Sequence, residues 1–358
     1  MTDIFVWLLL LLPVSLAAAY VTGPDSLWTF VAATLGVIPL AEWIRRGTEH
    51  LARRAGPAIG GLLNVSFGNT AELVLALFVL AAGKPDVVKA QLTGSIIGNS
   101  LLGLGLAIVV GSVGRDKQTF KRARAGQLSS LLVLSMIGLL LPAMFDYVVR
   151  GTTASERLLR DEYFSLSVSV VLIIVYTANL VYTLVTHRDV FSFALPEGDT
   201  PEHHVAWPVW KALMVLATGT VATAVEAHFI SGGLEANAAR LGLSEFFLGV
   251  VLLAVVGNAA EYVSAVYFAR TDQIGLSISI TVGSTIQIAL LVAPVLVIVS
   301  ALAGTPMNLV FSSPLELIAI AAVTFTVNAV AQDGETTWFE GVLLLAIYVL
   351  FAFAFYFV

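Results

Sequence analysis

Residues 68–72 read Gly-Asn-Thr-Ala-Glu and residues 257–261 read Gly-Asn-Ala-Ala-Glu, 189 positions apart. The same offset relates Gly60 to Gly249, twelve residues ahead of each glutamate, and Gly94-Ser95 to Gly283-Ser284, twenty-two residues after it. One displacement without a gap aligns all of these features, so the chain carries an internal repeat. Both glutamates, Glu72 and Glu261, stand inside long apolar stretches. Their surroundings therefore decide what kind of protein this is.

The chain has 358 residues, of which 58% are hydrophobic and 12% charged, with mean hydropathy +0.93. A soluble domain carries roughly 25% charged residues. Half that fraction cannot coat a water-facing surface, which excludes an ordinary soluble enzyme. Lysine and arginine total 18 against 24 acidic residues, for a net charge of −6, so no basic footprint for nucleic acid is present. The absence of cysteine removes disulfides, thiolate metal sites and cysteine nucleophiles together.

Crossing the hydrocarbon core takes about 20 apolar residues. Eleven stretches qualify: 4–21, 27–44, 59–82, 91–113, 126–149, 163–186, 208–232, 244–269, 274–302, 309–332 and 337–357. The first lacks the basic start of a signal peptide, since Thr2 and Asp3 lead it. Continuous apolar runs without period-2 alternation predict helices, not a β-barrel. The predicted fold is an all-α polytopic membrane protein of eleven transmembrane helices. Residues 1–24 form an extra first helix, 25–186 a five-helix repeat, 187–207 an acidic cytoplasmic linker, and 208–358 a second five-helix repeat. Five spans separate equivalent helices, and an odd number reverses the direction of crossing. The repeats are thus expected to be inverted, with a substrate site at the midplane.

Loop charge sets the expected orientation. Arg45, Arg46, Arg53, Arg54, Arg115, Lys117, Lys121, Arg122, Arg124, Arg188, Lys211 and Arg270 fall on one side; Lys84, Lys89, Arg150, Arg157, Arg160 and Arg240 fall on the other. This bias places the amino terminus in the cytoplasm and the carboxyl terminus outside. Compact loops and no evident targeting extension point to a prokaryotic plasma membrane, with a vacuolar membrane as the alternative. The linker, with Glu197, Asp199, Glu202, His203 and His204, reads as a solvated connector; its carboxylates and imidazoles also suit weak cation sensing.

A mid-bilayer carboxylate is costly unless it faces a cavity, binds a cation or takes a proton. Gly68 and Gly257 let the helix loosen and turn carbonyls toward an ion, and Asn69 and Asn258 offer amide oxygens. Ser95, Asn99, Ser284 and Gln287 on the following helices add neutral oxygens, although helix–helix hydrogen bonding is the competing role for the serines and Gln287. This donor set suits a hard cation such as Ca2+, which takes six to eight oxygens in flexible geometry. Glu42 and Glu226 form a second candidate pair, late in the spans that precede each signature helix. They could serve as proton or cation entry points, with snorkelling to the interface as the competing reading. An intramembrane enzyme would need a nucleophile–base pair or a motif such as His-Glu-x-x-His, and neither is present.

The run from Gly60-Gly61-Leu62-Leu63-Asn64 to Gly68-Asn69-Thr70-Ala71-Glu72 resembles the first signature of the calcium/proton exchangers, within the calcium/cation antiporter superfamily. The run from Ser244-Glu245-Phe246-Phe247-Leu248-Gly249 to Gly257-Asn258-Ala259-Ala260-Glu261 resembles the second, and Gly283 to Leu290 the helix after it. The resemblance implies an extra first helix, alternating access by two five-helix halves, and calcium export against protons with Glu72 and Glu261 as exchange carboxylates. Tyr262, where the family often has histidine, and Ala254, where proline is common, depart from the pattern. Two ionised glutamates balance one Ca2+, and two protons neutralise the same pair. Either loaded form crosses the barrier cheaply, while the empty charged form does not. No cofactor is expected; Ca2+ and protons are cargo, the lipid bilayer is the surrounding partner, and a homo-oligomer is compatible with the sequence. A sodium/calcium exchanger and a passive cation channel are the alternatives.

Overall fold

Inside a bilayer a backbone without water must satisfy its own N–H and C=O groups, and for apolar runs of this length only helices do so. The computed structural model describes residues 2–148, 153–186, 207–311 and 313–358. They form α1 (Phe5–Thr22), α2 (Leu27–Phe67), α3 (Thr70–Ala81), α4 (Pro85–Gly111), α5 (Arg122–Val148) and α6 (Glu156–Thr186). After the linker come α7 (Val209–Leu241), α8 (Glu245–Gly257), α9 (Ala259–Arg270), α10 (Ile274–Leu302), α11 (Pro314–Gln332) and α12 (Trp338–Tyr356). The linker carboxylates and imidazoles, and the two-histidine segment, lie outside the described residues.

Nine of the described helices are long and apolar enough to cross a membrane, or ten when α8 and α9, bent by 52° at their junction, count as one span. The expected count of eleven is not reached by these nine or ten, and the chain departs from the expected boundaries over one stretch. Residues 45–58 read as a loop, yet α2 runs unbroken for 41 residues, about 60 Å at 1.5 Å per residue. The physical reason is local. Arg45 pairs with Glu42 at 2.8 Å and with Glu49, and Arg46 pairs with Glu42 at 2.6 Å, at helical spacings of three and four residues. These bridges carry the helix through a charged stretch that hydropathy reads as an exit from the membrane. What was expected as the third span is left with α3, a separate helix of 12 residues. Likewise α7 continues to Leu241, nine residues past its expected end, which moves Glu226 from the end of a span to its middle.

Helices α4, α2 and α10 form the buried centre, and α1, α6 and α12 lie at the periphery. Helix α2 packs along α7, α9 lies along the second half of α4, and α8 lies against its first half. Strands β1 (Gln118–Thr119) and β2 (Glu335–Thr336) pair antiparallel and tie the α4–α5 connection to the α11–α12 connection.

The helix pair α3–α4 and the pair α9–α10 begin at positions that differ by 189 in each case. Their turns match too: Gly83 has φ 77° and Asp272, at the same offset, has φ 63°. Asp272 is the one non-glycine among the described residues with positive φ, a conformation aspartate tolerates better than most. The breaks ahead of α3 and α9 also agree, with Asn69 at φ −100°, ψ 25° and Asn258 at φ −98°, ψ 7°. Neither asparagine caps its helix with its side chain, so both amides are free for tertiary contacts.

Candidate functional site

Because the chain breaks at Asn69 and Asn258, two helices start in mid-sequence of apolar stretches, and Glu72 and Glu261 each stand in a first turn. A helix start favours negative charge through its unpaired N–H groups. The breaks thus create two sites for carboxylates inside an apolar protein.

One carboxylate is embedded in a polar chain. Glu72 is buried, and its Oε1 accepts hydrogen bonds from Ser95 Oγ at 2.8 Å and from Asn258 Nδ2. Asn258 Nδ2 also donates to Ser95 Oγ at 2.9 Å and to the carbonyl of Ala254 at 2.8 Å. Its Oδ1 accepts from Asn99 Nδ2 at 2.7 Å, and Asn99 Nδ2 reaches Ser284 Oγ at 3.0 Å. Ser284 donates to Asn69 Oδ1 at 3.2 Å, and Asn69 Nδ2 donates to Gln287 Oε1 at 3.0 Å. Seven of the side chains expected at the site therefore form one continuous network across α3, α4, α8–α9 and α10.

The two glycines divide. Gly257 lets Glu72 lie directly against the backbone, since a Cβ there would meet Glu72 Cγ at 3.0 Å. Gly68 sits half-buried ahead of Asn69. Glu261 stands apart from the network: Ser284 and Asn69, the counterparts of the residues that hold Glu72, bond each other. Glu261 Oε2 is buried and has no hydrogen-bond partner among the described residues. The same is true of Glu72 Oε2, Asn99 Oδ1 and Tyr262 Oη. Two carboxylate oxygens and one amide oxygen are thus buried without donors, on the two signature glutamates and on Asn99 of α4. An unsatisfied buried oxygen is costly, and a cation or a proton is what relieves it. Among the described residues no cluster of three or more His, Cys, Asp or Glu side chains could hold a metal.

Glu42 and Glu226 are both buried, and each stands well inside its helix. Their surroundings differ. Glu42 is held by two guanidiniums, with Arg45 Nη2 at 2.9 Å in addition to the bridges above. Glu226 accepts one bond, from Ser15 Oγ of α1 at 2.6 Å, and its Oε2 has no partner among the described residues. Glu42→Gln should therefore destabilise the fold by about 2 kcal/mol, below the value for fully buried pairs because both arginines keep some solvent contact. Glu226→Gln should leave thermal stability near that of the parent. Melting in detergent checks both, and equal losses would remove the distinction.

Three residues that sequence reading passed over also matter. Lys84, in the α3–α4 turn, reaches Glu245 at 2.7 Å and Glu235 at 3.3 Å, joining the first half of the chain to the second at one rim. Ser15 carried no signal, because its partner is 211 residues away. Gln91 did carry one: it stands four residues before Ser95 and eight before Asn99.

A family model described as sodium/calcium exchanger protein matches residues 25–185 and 211–357. The chain is 40% identical to a protein of Synechocystis sp. named Ca(2+)/H(+) antiporter, over 99% of this chain and 98% of that one. It is 38% identical to the Ca(2+)/H(+) antiporter ChaA of Bacillus subtilis, over 96% of each. A solved structure of native YfkE superposes with a TM-score of 0.83 at 32% identity, covering 99% of this chain and all of that one.

Proposed function

The chain belongs to the sodium/calcium exchanger protein family, and from that premise we propose that it is an antiporter exchanging Ca2+ for protons across a membrane. The names of relatives similar along nearly their whole length support proton coupling. The observation that carries the reading for this chain is the set of buried oxygens without donors beside Glu72 and Glu261. When Ca2+ occupies the site, both carboxylates are ionised and the loaded site is neutral. When Ca2+ leaves, protons neutralise the pair. The empty, doubly charged site is too costly to reorient in an apolar interior, so exchange is obligatory. The two carboxyls titrate as a unit.

The exchange moves Ca2+ out of the cytoplasm of a bacterial-type plasma membrane, with the amino terminus inside and the carboxyl terminus outside. Two inverted units, 25–186 and 208–358, alternate access to the site; 1–24 stands outside the pair and 187–207 joins them. The shared boundaries of α3–α4 and α9–α10 at one offset support this division. Gly68, Asn69, Gly257, Asn258, Ser95, Asn99, Ser284 and Gln287 line the site, and Glu226 offers protons a further carboxyl.

Calcium flux into sodium-free vesicles under an imposed pH gradient tests the assignment. Gradient-driven accumulation of Ca2+ is the expected result. Flux indifferent to the gradient would make the protein a channel, and flux that requires sodium would make it a sodium-coupled exchanger.

A further inference from the structure

Helix α4 carries Gln91, Ser95 and Asn99 at intervals of four residues, so the three side chains stack along one face about 6 Å apart. All three are buried, Gln91 at 2% exposure. Ser95 and Asn99 are bonded into the network around Glu72. Gln91 stands one turn further toward Lys84, and its Oε1 is buried with no donor among the described residues. An amide oxygen that bonded a neighbouring helix would be paired; this one is not.

The space beyond it is closed. A Cβ on Gly94 would lie 2.0 Å from the carbonyl oxygen of Val250, and one on Gly249 would lie 2.9 Å from that of Val87. Helices α4 and α8 therefore touch backbone to backbone beside Gln91, and the bridges from Lys84 to Glu245 and Glu235 sit at the rim of the same seam. The feature is also one-sided. The residue at the repeat offset from Gln91 is Ile280, which offers no oxygen.

Resting on the Ca2+/H+ reading above, we propose that Gln91 is a transit ligand: its amide oxygen takes the divalent cation one helical turn from the central carboxylates when the α4–α8 seam parts. It thereby sets cation affinity on the Lys84 face alone. A neutral amide oxygen is a hard donor suited to Ca2+, and one such ligand holds the ion without trapping it. The approach from the opposite face, lined by Ile280 at the equivalent position, lacks this station. Apparent Ca2+ affinity on the two faces is therefore unequal by construction.

The test is the apparent KM for Ca2+ measured separately on each face, in vesicles holding the full chain in one orientation. Gln91→Leu should raise KM on the Lys84 face by about fivefold, the scale of one lost neutral ligand, and leave the other face within about twofold. Gln91→Met, matched in length, is the companion variant should leucine impair folding. Gln91→Glu should lower KM on the Lys84 face and make it newly dependent on the pH of that compartment, a response that a packing role would not produce. Equal changes on both faces, or none on either, would overturn the proposal. Failure of the parent protein to exchange Ca2+ for protons would instead overturn the functional reading, whatever Gln91 does.

Discussion

Proton-driven calcium exchange should fall by about a hundredfold or more when either Glu72 or Glu261 is replaced by glutamine. An uncompensated charge at the centre of a membrane helix costs about 2.5–3.5 kcal/mol. Each 1.4 kcal/mol corresponds to about tenfold in rate. Glutamine removes one negative charge from the Ca2+-loaded site and one titrating group from the proton-loaded site, so both half-reactions suffer. The substitution is otherwise mild. An amide oxygen at position 72 still accepts from Ser95 and Asn258, and at position 261 Oε2 has no donor among the described residues to lose. Both variants should therefore melt close to the parent in detergent while flux under a pH gradient disappears. Normal exchange in both would show that the charge balance does not reside in this pair. Loss in one alone would assign binding to that carboxylate and leave the other a structural part.

The second large effect is expected at a glycine. Gly94→Ala places a methyl group 2.0 Å from the carbonyl oxygen of Val250 and 2.6 Å from the Ala254 Cβ. The obstructing oxygen belongs to backbone, so α4 and α8 must separate to admit it. Overpacking of this kind costs about 1–3 kcal/mol even where flexible side chains absorb part of it. The seam it opens is the one that shuts the site on the Lys84 face. The expected result is a melting temperature lower by several degrees and exchange reduced at least about tenfold, because a closed state that cannot form cannot alternate. Gly283 provides the control. It occupies the same place in the second repeat, and no described atom lies within 4 Å of a Cβ built there. Gly283→Ala should melt like the parent. Matching stability losses at the two glycines would mean that the seams are equally closed, contrary to the contrast between Gly94 and Gly283.

That contrast marks where sequence reading ends. The matched spacing of Gly94 and Gly283 is legible in the chain, and it says that the two positions are equivalent. Their different surroundings are not legible, because equivalence in sequence does not specify which of two alternative packings each half adopts. The fold behaves the same way. Hydropathy located nearly every helix, since membrane insertion responds to the local free energy of about 20 residues. It misread 45–58, where Glu42, Arg45, Arg46 and Glu49 bridge along a helix that charge alone suggests should end.

At the site, the residues that stand at the breaks are legible in the chain alone. The Gly-Asn steps, the glutamates in the first turns behind them and the serines at one constant offset follow from local spacing, and local spacing survives in any fold. Which of these residues meet is settled by the packing of the helices. Asn99 bonds Asn258 across 159 positions, and Ser284 bonds Asn69 across 215. Ser15 is brought to Glu226 by the docking of α1, while Gln91 Oε1 is left without a donor among the described residues. Such pairings depend on how helices cross and which faces they bury, a property of the whole packed bundle that no window of sequence contains.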